Sequence, residues 1–117
     1  MKVSFTHESK SYVNIDSESN FFKQLNIPDE IKINITHSAK WEKIRTKRRK
    51  LISEFDGEYG RHARELRNGK VVDGIDNPTT LSSEQLLALD EYVQALADIP
   101  QKFSNPDDVV WPEKPTL

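Results

Sequence analysis

The chain has 117 residues, 35% of them hydrophobic and 31% charged, with a formal net charge of −2, which suits one polar but foldable domain with a modest core. Cysteine is absent, and that excludes disulfides, thiolate metal sites and a cysteine nucleophile. The opening MKVSFTHESK lacks the apolar run of a signal peptide and no segment approaches membrane-spanning length, so a soluble, cytoplasmic protein is expected.

KVSFT and SYVNI are rich in β-formers with the polar HESK between them, which predicts a hairpin at 2–6 and 11–15. From Ser17, SESNFFKQL predicts a short helix that buries Phe21, Phe22 and Leu25 and is closed by Pro28. IKINIT alternates strictly, with Ile31, Ile33 and Ile35 on one face, and reads as a third strand. Ser38 is then a candidate N-cap. After it Trp41, Ile44, Leu51, Ile52, Phe55, Tyr59, Ala63 and Leu66 recur at helical spacing. Arg48 falls on the same stripe. An unbroken helix over 39–67 would span about 43 Å, but Gly57 and Gly60 predict a break near 57–60. RNGKVVDGIDNPTT is a loop by composition. Ser82 with Gln85 forms a capping-box pattern, and Leu86, Leu89, Val93 and Leu96, flanked by Tyr92 and Ile99, predict a second helix over 83–98. Pro100 should end it. Four of the six prolines lie between 100 and 115, so the end of the chain should be extended.

The class expected is α+β. A small β-rich head (hairpin plus strand) occupies 1–37, an antiparallel helical hairpin 38–99, and an extended Pro-rich strap 100–117, together one compact domain. Charge is unevenly spread over these parts. Residues 38–70 hold eleven Lys and Arg against five acids, and residues 71–117 hold two against nine. Two such segments can neutralise each other within one fold or between copies, so a homo-oligomer held by complementary charge is one option.

Little in the sequence points to catalysis. Histidines 7, 37 and 62 stand in different elements without metal-ligand spacing, and no phosphate loop, dinucleotide fingerprint or serine elbow is present. No cofactor, no bound metal and no catalytic residue is expected. The run KIRTKRRK over 43–50 carries six basic residues in eight, as a nucleic-acid helix does. Yet no Asn or Gln lies along it to read bases and no aromatic is interleaved for stacking, so a solvated helix face is favoured. Arg48, on the apolar stripe, must snorkel or meet a carboxylate. Antiparallel packing makes Arg45 or Arg48 with Asp98 the candidate pair. DVVWPEKP near the end has two readings. Val109, Val110, Trp111 and Pro112 either strap back onto the helices or dock into a partner, and the strap is favoured because an exposed Trp with two valines invites aggregation.

IRTKRRKLISEFD and LSSEQLLALDEYVQALADIPQKFSNPDDVVWPEKP together resemble the phage tail assembly chaperone family. The family's pattern of an aliphatic–Arg pair, a second Arg, a double aliphatic and a closing Asp falls on Ile44, Arg45, Arg48, Leu51, Ile52 and Asp56, just after Trp41. Its later helix falls on Tyr92, Ala95, Leu96, Asp98, Ile99 and Pro100, and its Val-Val-Trp-Pro ending on Val109 to Pro112. The link between the two stretches is longer here than in many members. The resemblance implies a non-enzymatic protein, made in the bacterial cytoplasm, that binds and shields a tail or tail-fibre component during virion assembly. The rivals are a minor structural protein retained in the virion and, behind it, a nucleic-acid binder using 43–50.

Overall fold

The computed structural model describes the whole chain, Met1–Leu117. It contains β1 (Lys2–His7), β2 (Lys10–Asp16), α1 (Asn20–Gln24), α2 (Asp29–Ser53), α3 (Asp56–Arg67) and α4 (Ser83–Lys102), then a 3-10 turn at Pro106–Asp108. This is the α+β class expected. The residues group into two compact units, Met1–Thr46 and Lys47–Leu117, so α2 begins in the first and ends in the second.

In the first unit, β1 and β2 pair antiparallel from Lys2↔Asp16 to His7↔Lys10. Glu8 and Ser9 both take positive φ, 49° and 64°, the backbone of the two-residue turn that matches strand twist. The register shifts after Val3, where Asn14 adopts φ 53° and its N–H donates to Ser4 Oγ at 3.0 Å, a bulge that a short polar residue tolerates. Phe5 stacks on Tyr12 at 4.8 Å and meets the edge of Phe22 at 5.9 Å. Val3, Phe22 and Ile27 are buried. Ser19 caps α1, its Oγ accepting from the N–H of Phe22 at 3.2 Å. Phe21, expected inside, is 56% exposed, because a helix of five residues can turn only one of two adjacent phenylalanines inward.

The expected third strand is a helix. Pro28 starts α2 rather than closing α1; its carbonyl accepts the N–H groups of Ile31 and Lys32 at 3.0 and 3.1 Å. Asp29 and Glu30 place negative charge at the first turn, where the helix dipole favours it. Ile31 and Ile35, one turn apart, border a groove with Ser4 and Phe5, while Ile33 borders another with Phe22. The alternating isoleucines therefore serve two helix faces rather than one strand face. Ser38 is consequently helix interior, not an N-cap.

In the second unit the helix expected over 39–67 is broken at Glu54–Phe55, not at 57–60. Phe55, with φ −103° and ψ 0°, ends the α2 geometry and precedes α3. Gly57 and Gly60 both lie inside α3. The break rotates the stripe: Leu66 is 46% exposed and Glu65 is buried in its place. At the far end α3 closes on Gly69, whose φ of +85° suits only glycine. The N–H of Lys70 reaches Glu65 O at 3.0 Å and that of Gly69 reaches Leu66 O at 3.1 Å, the paired bonds of a left-handed helix stop. The capping box of α4 is present in both halves, Ser82 with Gln85. Leu89, Tyr92, Leu96 and Ile99 are its buried stripe. Pro100 does not end α4, which runs to Lys102; placed in the last turn, it removes one hydrogen bond of the ladder, and the N–H of Phe103 still reaches Ile99 O at 3.1 Å.

A Cβ at Gly60 would meet nothing within 4 Å. Gly60→Ala should therefore raise stability by about 0.5–1 kcal/mol in urea unfolding. A decrease would show that α3 is not a regular helix there.

Candidate functional site

The second unit is built around α3 and α4 running antiparallel. Phe55, at the start of α3, meets Tyr92 edge-on at 5.6 Å and 81°. One turn on, Tyr59 Oη donates to Asp90 Oδ1 at 2.6 Å. Burial and then this carboxylate push the Tyr59 hydroxyl up to about 12, so it remains a donor at any physiological pH. Near the end of α3, Glu65 accepts from the Thr80 N–H at 3.1 and 3.2 Å and from Thr80 Oγ1 at 2.9 Å. The backbone bond from Thr80, more than any nearby cation, holds the Glu65 carboxyl below its usual range against the cost of its burial.

The link between the helices is consequently an ordered loop. Val71 N–H donates to Asn77 O at 2.9 Å, and the N–H groups of Gly74 and Thr79 both reach Val71 O, at 3.0 and 3.1 Å. Asp73, at φ 58°, accepts from the Ser83 N–H at 3.1 Å and from the Ser83 hydroxyl. These two bonds, the hydroxyl first, lower its carboxyl. The loop is thus tied to α3 through Glu65 and to α4 through Ser83.

Beyond α4 the chain turns back. Asn105 Oδ1 accepts from the Asp107 N–H at 2.9 Å and so caps the 3-10 turn, where Pro106 is buried. The rest is extended along the end of α2. Lys47 Nζ stands 4.3 Å from the centre of the Trp111 ring, a cation–π contact, and Lys114 Nζ is 2.6 Å from Glu54 Oε2. That bond lowers the Glu54 carboxyl and raises the Lys114 ammonium. Val109, Trp111 and Pro112 are half-buried, whereas Val110 is 72% exposed.

Of the residues singled out from sequence, Leu96 is fully buried and Tyr92 nearly so. Trp41, Ile44, Arg48, Leu51 and Ile52 are half-buried along α2, and Asp56 is exposed in the first turn of α3. Arg45 Nη1 bonds Glu42 at 2.5 Å within α2, and Asp98 accepts from Gln94 Nε2 at 2.9 Å within α4. Sequence reasoning missed four ties, Lys47–Trp111, Tyr59–Asp90, Glu65–Thr80 and Asp73–Ser83. Only the first had a signal, a Trp and a basic run in a chain expected to fold back on itself.

Two outcomes follow. Glu54, Glu65 and Asp73 all have folded-state values below their ordinary 4.5, 4.5 and 3.8, so their contribution is complete above that range and is lost as pH falls through the folded values. Melting temperature should drop steeply below about pH 4, less steeply in Glu65→Gln, and an identical acid limb in that variant would contradict the assignment. Trp111→Ala should cost about 2 kcal/mol, roughly half a fully buried aromatic, and should lower the backbone order parameters across 108–114 in 15N relaxation. Unchanged order parameters there would show that Trp111 does not hold the tail.

A family model described as phage tail assembly chaperone protein matches residues 41–116, the stretch that carries the end of α2, the α3–α4 hairpin and the strap. No curated protein and no solved structure matches the chain. The match covers well over half of the sequence: the chain belongs to the phage tail assembly chaperone family.

Proposed function

We propose that this protein binds a component of the phage tail in the host cytoplasm, shields it from aggregation until it is incorporated, and acts by binding rather than by catalysis. The observation that carries this reading is the family match over the hairpin and strap. The geometry supports it in kind. Trp111 and Lys114 are engaged by Lys47 and Glu54 of the same chain, so the strap stabilises the hairpin and leaves partner contact to the outer surfaces. Those surfaces display apolar side chains, among them Leu66, Val71, Ile75 and Leu87, the chemistry that covers an aggregation-prone apolar surface.

Tagged protein co-expressed with the tail proteins of the same phage should recover one of them in a stable complex. It should be absent or substoichiometric in purified virions examined by mass spectrometry. Recovery of the protein alone contradicts the chaperone role, full stoichiometry in virions makes it a structural component, and co-eluting nucleic acid moves the role to the basic face of α2.

A further inference from the structure

We infer that the loop between α3 and α4 is a docking finger whose tip, Ile75, inserts into an apolar, basic-rimmed pocket on the protein that this chain binds; the inference rests on the function proposed above. Ile75 is 97% exposed and Val71 behind it 58% exposed. An isoleucine with almost no contact to its own chain adds nothing to folding. A mobile loop would make such exposure ordinary, but this loop is built to hold its shape. Val71 is bonded to Asn77, Thr79 and Gly74 through its backbone. Glu65 grips Thr80 at one end and Ser83 donates to Asp73 at the other. The turn is also tight: a Cβ at Gly74 would stand 3.0 Å from Val71 O and 3.1 Å from Val71 Cβ. A side chain presented on a pre-ordered loop loses little entropy on docking, so its apolar area is available for affinity.

The flanks decide what kind of partner fits. Asp73 and Asp76 stand on either side of Gly74 and Ile75. Two carboxylates beside the tip disfavour anionic lipid and nucleic-acid phosphate. They favour a protein pocket with an apolar floor and Lys or Arg on its rim.

The test compares wild type, Ile75→Asp, Asp73→Ala and Val13→Ser for affinity to the tail protein recovered with wild type, each checked for an unchanged far-UV spectrum, and Ile75→Asp and Val13→Ser also for an unchanged melting temperature. Ile75→Asp should weaken binding at least about tenfold. Asp73→Ala, which loosens the loop and removes one flanking carboxylate but leaves the tip, should weaken it by a smaller factor, and Val13→Ser, at an exposed position of β2, should not change it. Wild-type affinity in Ile75→Asp overturns the finger and leaves the chaperone role standing. Failure of wild type to bind any tail protein overturns both. Concentration-dependent self-association of the free protein that Ile75→Asp abolishes would make a second copy the occupant and overturn the assignment to the tail protein.

Discussion

A buried carboxylate sets the architecture of the second unit. Glu65 lies where the helical stripe would place an apolar side chain, and burial there is tolerable only because three hydrogen bonds from Thr80 converge on it. That convergence brings the chain back to the end of α3 after a long polar link, and α4 begins two residues beyond at its capping box. The antiparallel pairing seen in Phe55 against Tyr92 and Tyr59 against Asp90 follows from this anchor, since Thr80 beside Glu65 leaves α4 to run back along α3. Without it the loop would lose its tie to α3 and keep only the Asp73–Ser83 bonds to α4, and Ile75 would be less firmly presented.

The strap answers a different constraint. Two helices with one buried stripe on α4 leave the end of α2 without a full apolar partner, and all of its side chains are half-buried or exposed. The tail supplies the missing contacts in extended form: an aromatic ring beneath Lys47 and an ammonium on Glu54. Proline suits this role because it stiffens the chain before docking and so reduces the entropy lost. Val110 points largely to solvent while Val109 and Trp111 on either side of it are half-buried, as alternation along an extended segment requires.

The parts of the fold legible in sequence were those dictated by local chemistry. The HESK turn, the Ser82–Gln85 box and the Leu89–Leu96 stripe each depend on residues a few positions apart. Ile31, Ile33 and Ile35 misled because alternation looks the same whether one strand face or two helix faces are being covered, and Pro28 with Asp29 and Glu30 settled the matter for the helix. Gly57 and Gly60 misled because glycine lowers helix propensity by an amount that tertiary packing at Phe55 overrides. Of the candidate site, the extended course of the ending was legible from its prolines, whereas the contacts of Trp111 with Lys47 and of Lys114 with Glu54 had no local pattern to mark them. Tyr59–Asp90 and Glu65–Thr80 were not legible either, since they join residues 31 and 15 positions apart and no spacing rule marks such pairs.

The most direct measurement is NMR of the protein alone and in complex with the tail protein that it captures, read at the Trp111 ring. NOEs between that ring and the Lys47 side chain should be present in the free protein and persist on binding, while the largest shift changes on binding fall at 71–78 and the adjoining helix ends. A Trp111 ring without NOEs to Lys47 in the free protein, with shift changes on binding concentrated at 108–114, would contradict this and would make the Trp-bearing tail the docking element instead of the strap.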